Sequence, residues 1–158
     1  MPPPTLFSLE GIDINVVTIP IDGVRKANPQ RYEMEQLTGV IYADAAGRRL
    51  VAERQLGADE WWVRGHIPGR PLMPGVLMIE AAAQASAFLY KVIDPAEARF
   101  IGFSGVDDVK FRGQVLPGER MIILVQVLEM RPRRAVFATQ GFVGDRLVFQ
   151  ANIVGMPI

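Results

Sequence analysis

Two kinds of apolar pattern divide this chain. Leu37 to Ala43 and Arg49 to Leu56 are short runs of strand-favouring residues, and Asp44 to Gly47 between them suits a hairpin connection. After Trp61 and Trp62 the pattern stops, because Pro68, Gly69, Pro71, Pro74 and Gly75 crowd into eight residues. Proline fixes φ and lacks an amide donor, so this density predicts a rigid irregular loop with a helix starting at its end. From Pro74 or Gly75 to about Val92 the residues are apolar on nearly every face, five alanines among them, which predicts a buried helix of about five turns. Three strand-like runs follow, Phe100 to Phe111, Arg120 to Met130 and Ala135 to Val143, then a fourth from Leu147 to Val154, with Gly144-Asp145 as a short hairpin turn. One apolar helix against a mainly antiparallel sheet that curls around it is an α+β architecture. Residues 1 to 30 carry prolines at 2, 3, 4, 20 and 29 and little periodicity, so about the first 28 are expected to form an extended or loosely helical lead-in outside the core.

Composition narrows the function. A length of 158 residues fits one domain with a sizeable core and is short for two. Lys and Arg total 17 against 17 Asp and Glu, so the basic excess of a nucleic-acid binder is missing. With no cysteine and a single histidine the chain offers neither disulfides nor thiolate chemistry, and too few soft ligands for a zinc or iron site, so no metal is expected. The start, Met-Pro-Pro-Pro-Thr, lacks the charged and apolar regions of a secretory signal. Val76 to Tyr90, the longest apolar stretch, is interrupted by Glu80 and Gln84 and is short for a membrane span. A soluble cytoplasmic protein is the expectation.

His66 stands just before the proline and glycine loop, Glu80 lies fourteen residues on inside the apolar helix, and Gln84 follows at i+4 on the same helical face. A bare carboxylate in such a helix costs several kcal/mol, so Glu80 should be protonated, hydrogen-bonded or lining a polar cavity. Gln84 is placed to hold it. An isolated His and Glu at this spacing would more simply be a loop histidine and a glutamate facing a solvent groove; the residues around them decide.

Those residues, His66-Ile-Pro-Gly-Arg-Pro-Leu-Met-Pro-Gly-Val-Leu-Met-Ile-Glu80-Ala-Ala-Ala-Gln84, resemble without a gap the active-site signature of the beta-hydroxyacyl-acyl carrier protein dehydratases. Glutamate at position 80 resembles the general dehydratase branch; the branch that also isomerises the double bond has aspartate there. Similarity continues through Gly105-Val-Asp-Asp-Val-Lys-Phe-Arg112 and Val115-Leu-Pro-Gly-Glu119, and upstream Pro29-Gln-Arg-Tyr32 resembles the family's Pro-His-Arg-Tyr, so coverage is about residues 29 to 155. The resemblance implies the hot-dog fold, a homodimer with two long helices side by side, and active sites shared between subunits, His66 from one and Glu80 from the other. A hexamer of three dimers is a further form that the resemblance allows. It also implies a narrow tunnel for the acyl chain and phosphopantetheine arm, with Ile67, Pro74 and Phe103 as wall residues, and no diffusible cofactor.

Residue types then suggest the chemistry. Eliminating water across C2 and C3 requires a base for the C2 proton, stabilisation of the thioester oxygen, and an acid for the leaving hydroxyl. Imidazole suits the base, and the Gly75 amide at a helix N-terminus suits the oxyanion. A carboxyl sheltered in an apolar helix suits the acid, although sequence leaves open how the proton transfers divide between His66 and Glu80. Arg70, Lys110 and Arg112 are candidates for docking an acidic carrier protein. Where the family continues with proline and an apolar run, this chain has Glu33-Met-Glu35-Gln-Leu-Thr-Gly, which puts substrate length or partner docking in question. Two alternatives stand beside the dehydratase: a hot-dog thioesterase, against which the His66 to Glu80 signature argues, and a catalytically silent acyl-binding protein.

Overall fold

The computed structural model describes residues 4–158, so Met1, Pro2 and Pro3 of the proline tract lie outside the described residues. Seven strands and two α-helices follow one another as β1 (Ile19–Pro20), α1 (Ile21–Ala27), β2 (Gly39–Asp44), β3 (Arg49–Gln55), α2 (Gly75–Ile93), β4 (Ile101–Phe111), β5 (Arg120–Arg131), β6 (Arg134–Val143) and β7 (Arg146–Pro157). They build one antiparallel sheet in the order β1-β2-β3-β5-β6-β7-β4. The chain reaches β4 only after running through α2, and that crossover leaves β4 as an eleven-residue edge strand beside β7.

Strand alternation explains how the sheet closes on α2. In β5, Met121, Ile123 and Val125 point into the core that holds Leu77, Met78, Ala81, Ala82, Ala85, Phe88 and Leu89 of α2. Ile122 and Leu124 point the other way, into a second core with Ile41, Val51, Phe142 and Leu147. The five-residue apolar run from Met121 to Val125 is therefore buried on both faces. The alanines of α2 let the helix lie close to the sheet, and ten of its nineteen residues are buried. By length and composition α2 is long enough to cross a membrane, longer than the interrupted stretch suggested, and its place inside the sheet accounts for its apolarity.

What covers the second core corrects one expectation. The first 28 residues are not a lead-in that stays outside: Leu6, Phe7, Leu9 and Ile12 pack on the outer face of the sheet. The Gln140 side chain binds this segment as a strand neighbour would, accepting from Leu6 N at 2.9 Å and donating to Pro4 O at 3.0 Å. Arg49 lies over the Phe7 ring, 5.4 Å from its centroid. Further on, Thr18 and Ile19 pair with β2, and Val24 of α1 is buried in the core. Scattered contacts from a proline-spaced segment leave no periodic trace, which is why the pattern missed them.

Beyond the C-terminus of α2 a charged turn sets the direction of the chain into β4. Lys91 Nζ donates to the carbonyls of Glu97 and Arg99, and Glu97 accepts from Arg99 Nε at 3.0 Å and Nη2 at 2.7 Å. The Arg99 side chain, and after it the Arg99 backbone amide, lower the Glu97 carboxyl to about 2 from its ordinary 4.5. A carboxyl whose folded value is depressed adds stability that is in place above about 4.5 and is lost as pH falls through about 2. The melting temperature of Glu97→Gln is accordingly expected to fall below that of the parent at pH 6, and the gap to close as both are titrated to pH 2. A gap that stays constant across that range would show that the turn does not depend on this ion pair.

Candidate active site

Position 80 is half-buried on the face of α2 that looks toward β4 and β7. A cavity of about 180 Å³ opens beside it, walled by Glu80, Ala83, Gln84 and Ala87 of α2, by Phe103 of β4, and by Phe137 and Ile153. Small residues at one-turn spacing keep the helix wall flat, so the space is a slot with an acid at one end and aromatic rings across from it. Phe103 lines the space, while Ile67 and Pro74 are not among its lining residues. Gln30 also lines the cavity, and its buried Oε1 meets no donor among the described residues.

Glu80 is held through Gln84. Nε2 of Gln84 donates to Glu80 Oε1 at 2.8 Å and to Met34 O at 2.6 Å, while its Oε1 accepts from Gln36 N at 2.9 Å. Both amide hydrogens and the amide oxygen are used, so the group has one orientation. Asn28 Nδ2 donates to the Gln84 backbone carbonyl at 2.9 Å, tying the residue after α1 to the same turn of α2. Asn28, Met34 and Gln36 lie about fifty residues from Gln84 in the chain, and no spacing rule announces such contacts. The one available signal was the unusual Glu33 to Gly39 segment, which contains two of the three.

His66 occupies the loop that the prolines predicted. Its backbone N donates to Trp62 O at 2.7 Å, and its Nδ1 lies 2.9 Å from Leu72 O. A carbonyl only accepts, so Nδ1 carries the hydrogen in the neutral ring and Nε2 keeps the free lone pair. The His66–Ile67 peptide is cis. Met73 N donates to Val115 O at 2.8 Å and fixes the end of the loop, after which Pro74 caps α2. Gly75 opens that helix, where the first amides have no intrahelical acceptor. The Phe111 ring lies where a Cβ at position 75 would sit, at 2.9 Å, so only glycine leaves this approach open. Within one chain, however, His66 does not line the Glu80 cavity.

The basic candidates are spread out. Arg70 is exposed on the His66 loop, whereas Lys110 and Arg112 line clefts on the outer face of the sheet, with Leu6 and Pro4 respectively. A second cleft of about 570 Å³ adjoins the cavity through Pro29 and Phe100 and carries Arg25, Lys26, Arg31 and Lys91, which the sequence reading did not single out. Nothing in their spacing links them, since α1, the following loop and the end of α2 meet only in the fold.

An antiparallel sheet wrapped on one long helix, with an acid on that helix facing a slot, defines a hot-dog-fold protein. The chain belongs to the FabA-like domain family, whose model matches residues 28–152. It is 33% identical over 126 residues to the 3-hydroxyacyl-[acyl-carrier-protein] dehydratase FabZ of Moorella thermoacetica, covering 80% of this chain and 87% of the relative. The FabZ of Koribacter versatilis is 34% identical over 134 residues, 84% of this chain and 85% of that one. Among solved structures, the dehydratase heterocomplex ApeI:P of Xenorhabdus doucetiae superposes with a TM-score of 0.70 at 16% identity, covering 85% of this chain and 90% of that one. The PaaI protein from the phenylacetic acid degradation operon of E. coli gives 0.59 at 14% identity, covering 75% and 78%. Those two likenesses speak for the fold alone.

Proposed function

We propose that this protein dehydrates (3R)-3-hydroxyacyl thioesters on acyl carrier protein to trans-2-enoyl thioesters, a step of fatty-acid biosynthesis, with His66 and Glu80 as the reacting groups. The observation that carries the residue assignment is the complementary preparation of the two side chains. His66 is bonded at Nδ1 and so offers Nε2 as a base, while Glu80 is bonded at Oε1 and so offers Oε2 as the proton-bearing oxygen.

The steps follow from those atoms. His66 Nε2 takes the C2 proton, and the electron pair moves toward the thioester oxygen, which the Gly75 amide stabilises at the positive end of α2. The electrons return to form the C2–C3 double bond as the C3–O bond breaks, and Glu80 Oε2 protonates the departing hydroxyl to give water. The proton held by the imidazolium then passes to the Glu80 carboxylate, directly or relayed through the released water, restoring both groups. Acyl carbons beyond C3 extend along the slot past Ala83, Ala87 and Phe103. The chemistry requires no cofactor.

The site is completed, on this reading, by a second copy of the chain. β4 is an eleven-residue edge strand whose outer side has no strand partner among the described residues. Phe103 and Phe111 on it, Ile67 on the histidine loop and Val76 at the head of α2 are all about half exposed or more. Pairing β4 with its symmetry mate covers these residues and brings His66 of one subunit to Glu80 of the other. Carrier docking belongs to Arg70, Lys110 and Arg112, all exposed, of which Arg70 shares the histidine loop.

The test follows enoyl absorbance as purified protein acts on (3R)-hydroxyacyl carrier thioesters of several chain lengths. His66→Ala and Glu80→Gln are each expected to lower turnover about a thousandfold. A folded protein inactive on every length would favour the silent acyl-binding reading, and release of free thiol without enoyl product would favour the thioesterase.

A further inference from the structure

Glu80 is reached through Gln84, and Gln84 is held by the peptide around residue 35. Met34 O and Gln36 N are its two backbone partners, and they flank Glu35 on either side. The Glu35 carboxylate turns the other way and meets Arg25 of α1 in a two-pronged pair, Nε to Oε1 at 3.0 Å and Nη2 to Oε2 at 3.0 Å. Both prongs are N–H donors to separate carboxylate oxygens, the arrangement that fixes direction as well as distance. The Glu35 side chain is 15% exposed, so the pair sits in a sheltered position beside the loop.

The stretch is a turn tied down at its end: Met34 N donates to Arg31 O at 3.2 Å, Glu35 N donates to Tyr32 O at 3.0 Å, and Gln36 and Leu37 after them are buried. Gln36 Nε2 returns to Glu33 O within the same turn, and Tyr32 adopts φ 56°, a left-handed conformation uncommon for a residue with a Cβ. Tyr32 and Met34 are exposed and contribute little packing. Arg25 itself is anchored at the far side, where Asp22 accepts from Nη1 at 3.2 Å, and Arg31 Nη2 donates to the Arg25 carbonyl at 3.1 Å. A chain of contacts therefore runs from α1 through Arg25 and Glu35 to the 34–36 peptide, then to the Gln84 amide and Glu80 Oε1.

We infer that Arg25 and Glu35 are positioning residues for the reaction, setting the direction of the Glu80 carboxyl through the Met34–Gln36 peptide and Gln84. The inference rests on the assignment of Glu80 as the acid. Neither residue touches the cavity's acid directly, so their loss misdirects Glu80 without removing it. Because the acid acts in the bond-breaking step, the loss falls on kcat, while KM, set by the slot and the carrier surface, stays near its wild-type value.

The experiment is a double-mutant cycle on steady-state dehydration with Arg25→Ala, Glu35→Gln and the double variant, together with Arg25→Lys and, as control, Glu80→Gln. Each single variant is expected to lower kcat about tenfold with KM within about twofold, and the double variant to lose no more than the singles, because the two act as one unit. Arg25→Lys keeps the charge and one bond and should recover most of the loss. Wild-type kcat in both single variants, or losses that multiply to about a hundredfold, would overturn the inference. If Arg25→Ala does not fold, kcat of Glu35→Gln, which keeps the side chain's size, decides alone. Full activity in Glu80→Gln would instead overturn the assignment of the acid, and leaves a pattern distinct from failure of the Arg25–Glu35 coupling.

Discussion

Refolding an equimolar mixture of His66→Ala and Glu80→Gln chains is expected to regain about a quarter of wild-type turnover, although each variant alone is nearly inactive. In a two-fold dimer with shared sites, a mixed dimer has one site carrying both substitutions and one site carrying neither. Random pairing makes half of the dimers mixed, and each of those has half of its sites intact. The geometry behind this expectation is local. His66 is fixed by Trp62 and Leu72 on a loop that does not wall the Glu80 cavity, yet its Nε2 is the nitrogen left free. The exposed apolar residues Ile67, Val76, Phe103 and Phe111 surround the route by which a second copy would approach. Turnover that stays at the level of the separate variants would place both groups in one chain's site and overturn the shared arrangement, as would a wild-type protein that sediments as a monomer while active.

The parts of this molecule that could be read from sequence are those whose information is local. A helix apolar all round, hairpin turns at Asp44 to Gly47 and Gly144-Asp145, and a proline-dense loop each follow from neighbouring residues, and the observed ends of α2, β3, β4 and β5 differ from expectation by about one residue. β7 runs three residues past Val154 because Gly155, Met156 and Pro157 pair with the start of β4, a partner that local composition cannot reveal. Glu80 and Gln84 stood out for the same local reason, as polar groups where a buried helix has no use for them. Their surroundings did not. Asn28, Met34 and Gln36 meet Gln84 only after the sheet has wrapped, and the Leu6 to Ile12 segment covers an outer apolar face whose existence depends on β2, β3, β5 and β6 lying together.

Gln84→Leu is expected to damage both stability and turnover, and the two losses have separate causes. The side chain is 3% exposed, and leucine fills much the same volume, so packing is largely kept. What disappears is an acceptor for Gln36 N and a donor for Met34 O and Glu80 Oε1. Leaving the buried Gln36 amide without a partner costs about 1–3 kcal/mol, which for a domain of this size lowers the melting temperature by roughly 2–12 °C. Glu80, freed from the one hydrogen bond that holds it among the described residues, samples rotamers in which Oε2 no longer faces the slot, and kcat is expected to fall about a hundredfold. Gln84→Glu keeps the acceptor for Gln36 N, but an ionised carboxylate donates to neither Met34 O nor Glu80 and faces both as a buried charge. Its stability is expected to fall below that of Gln84→Leu, because a buried charge set against two acceptors costs more than one unpartnered amide, while its turnover stays low, because the bond that directs the acid is missing in both. Urea midpoints and kcat measured on the same preparations test this division. Wild-type kcat in Gln84→Leu would mean that the Glu80 carboxyl is directed by something other than the amide beside it, and the role given to Arg25 and Glu35 would fall with it.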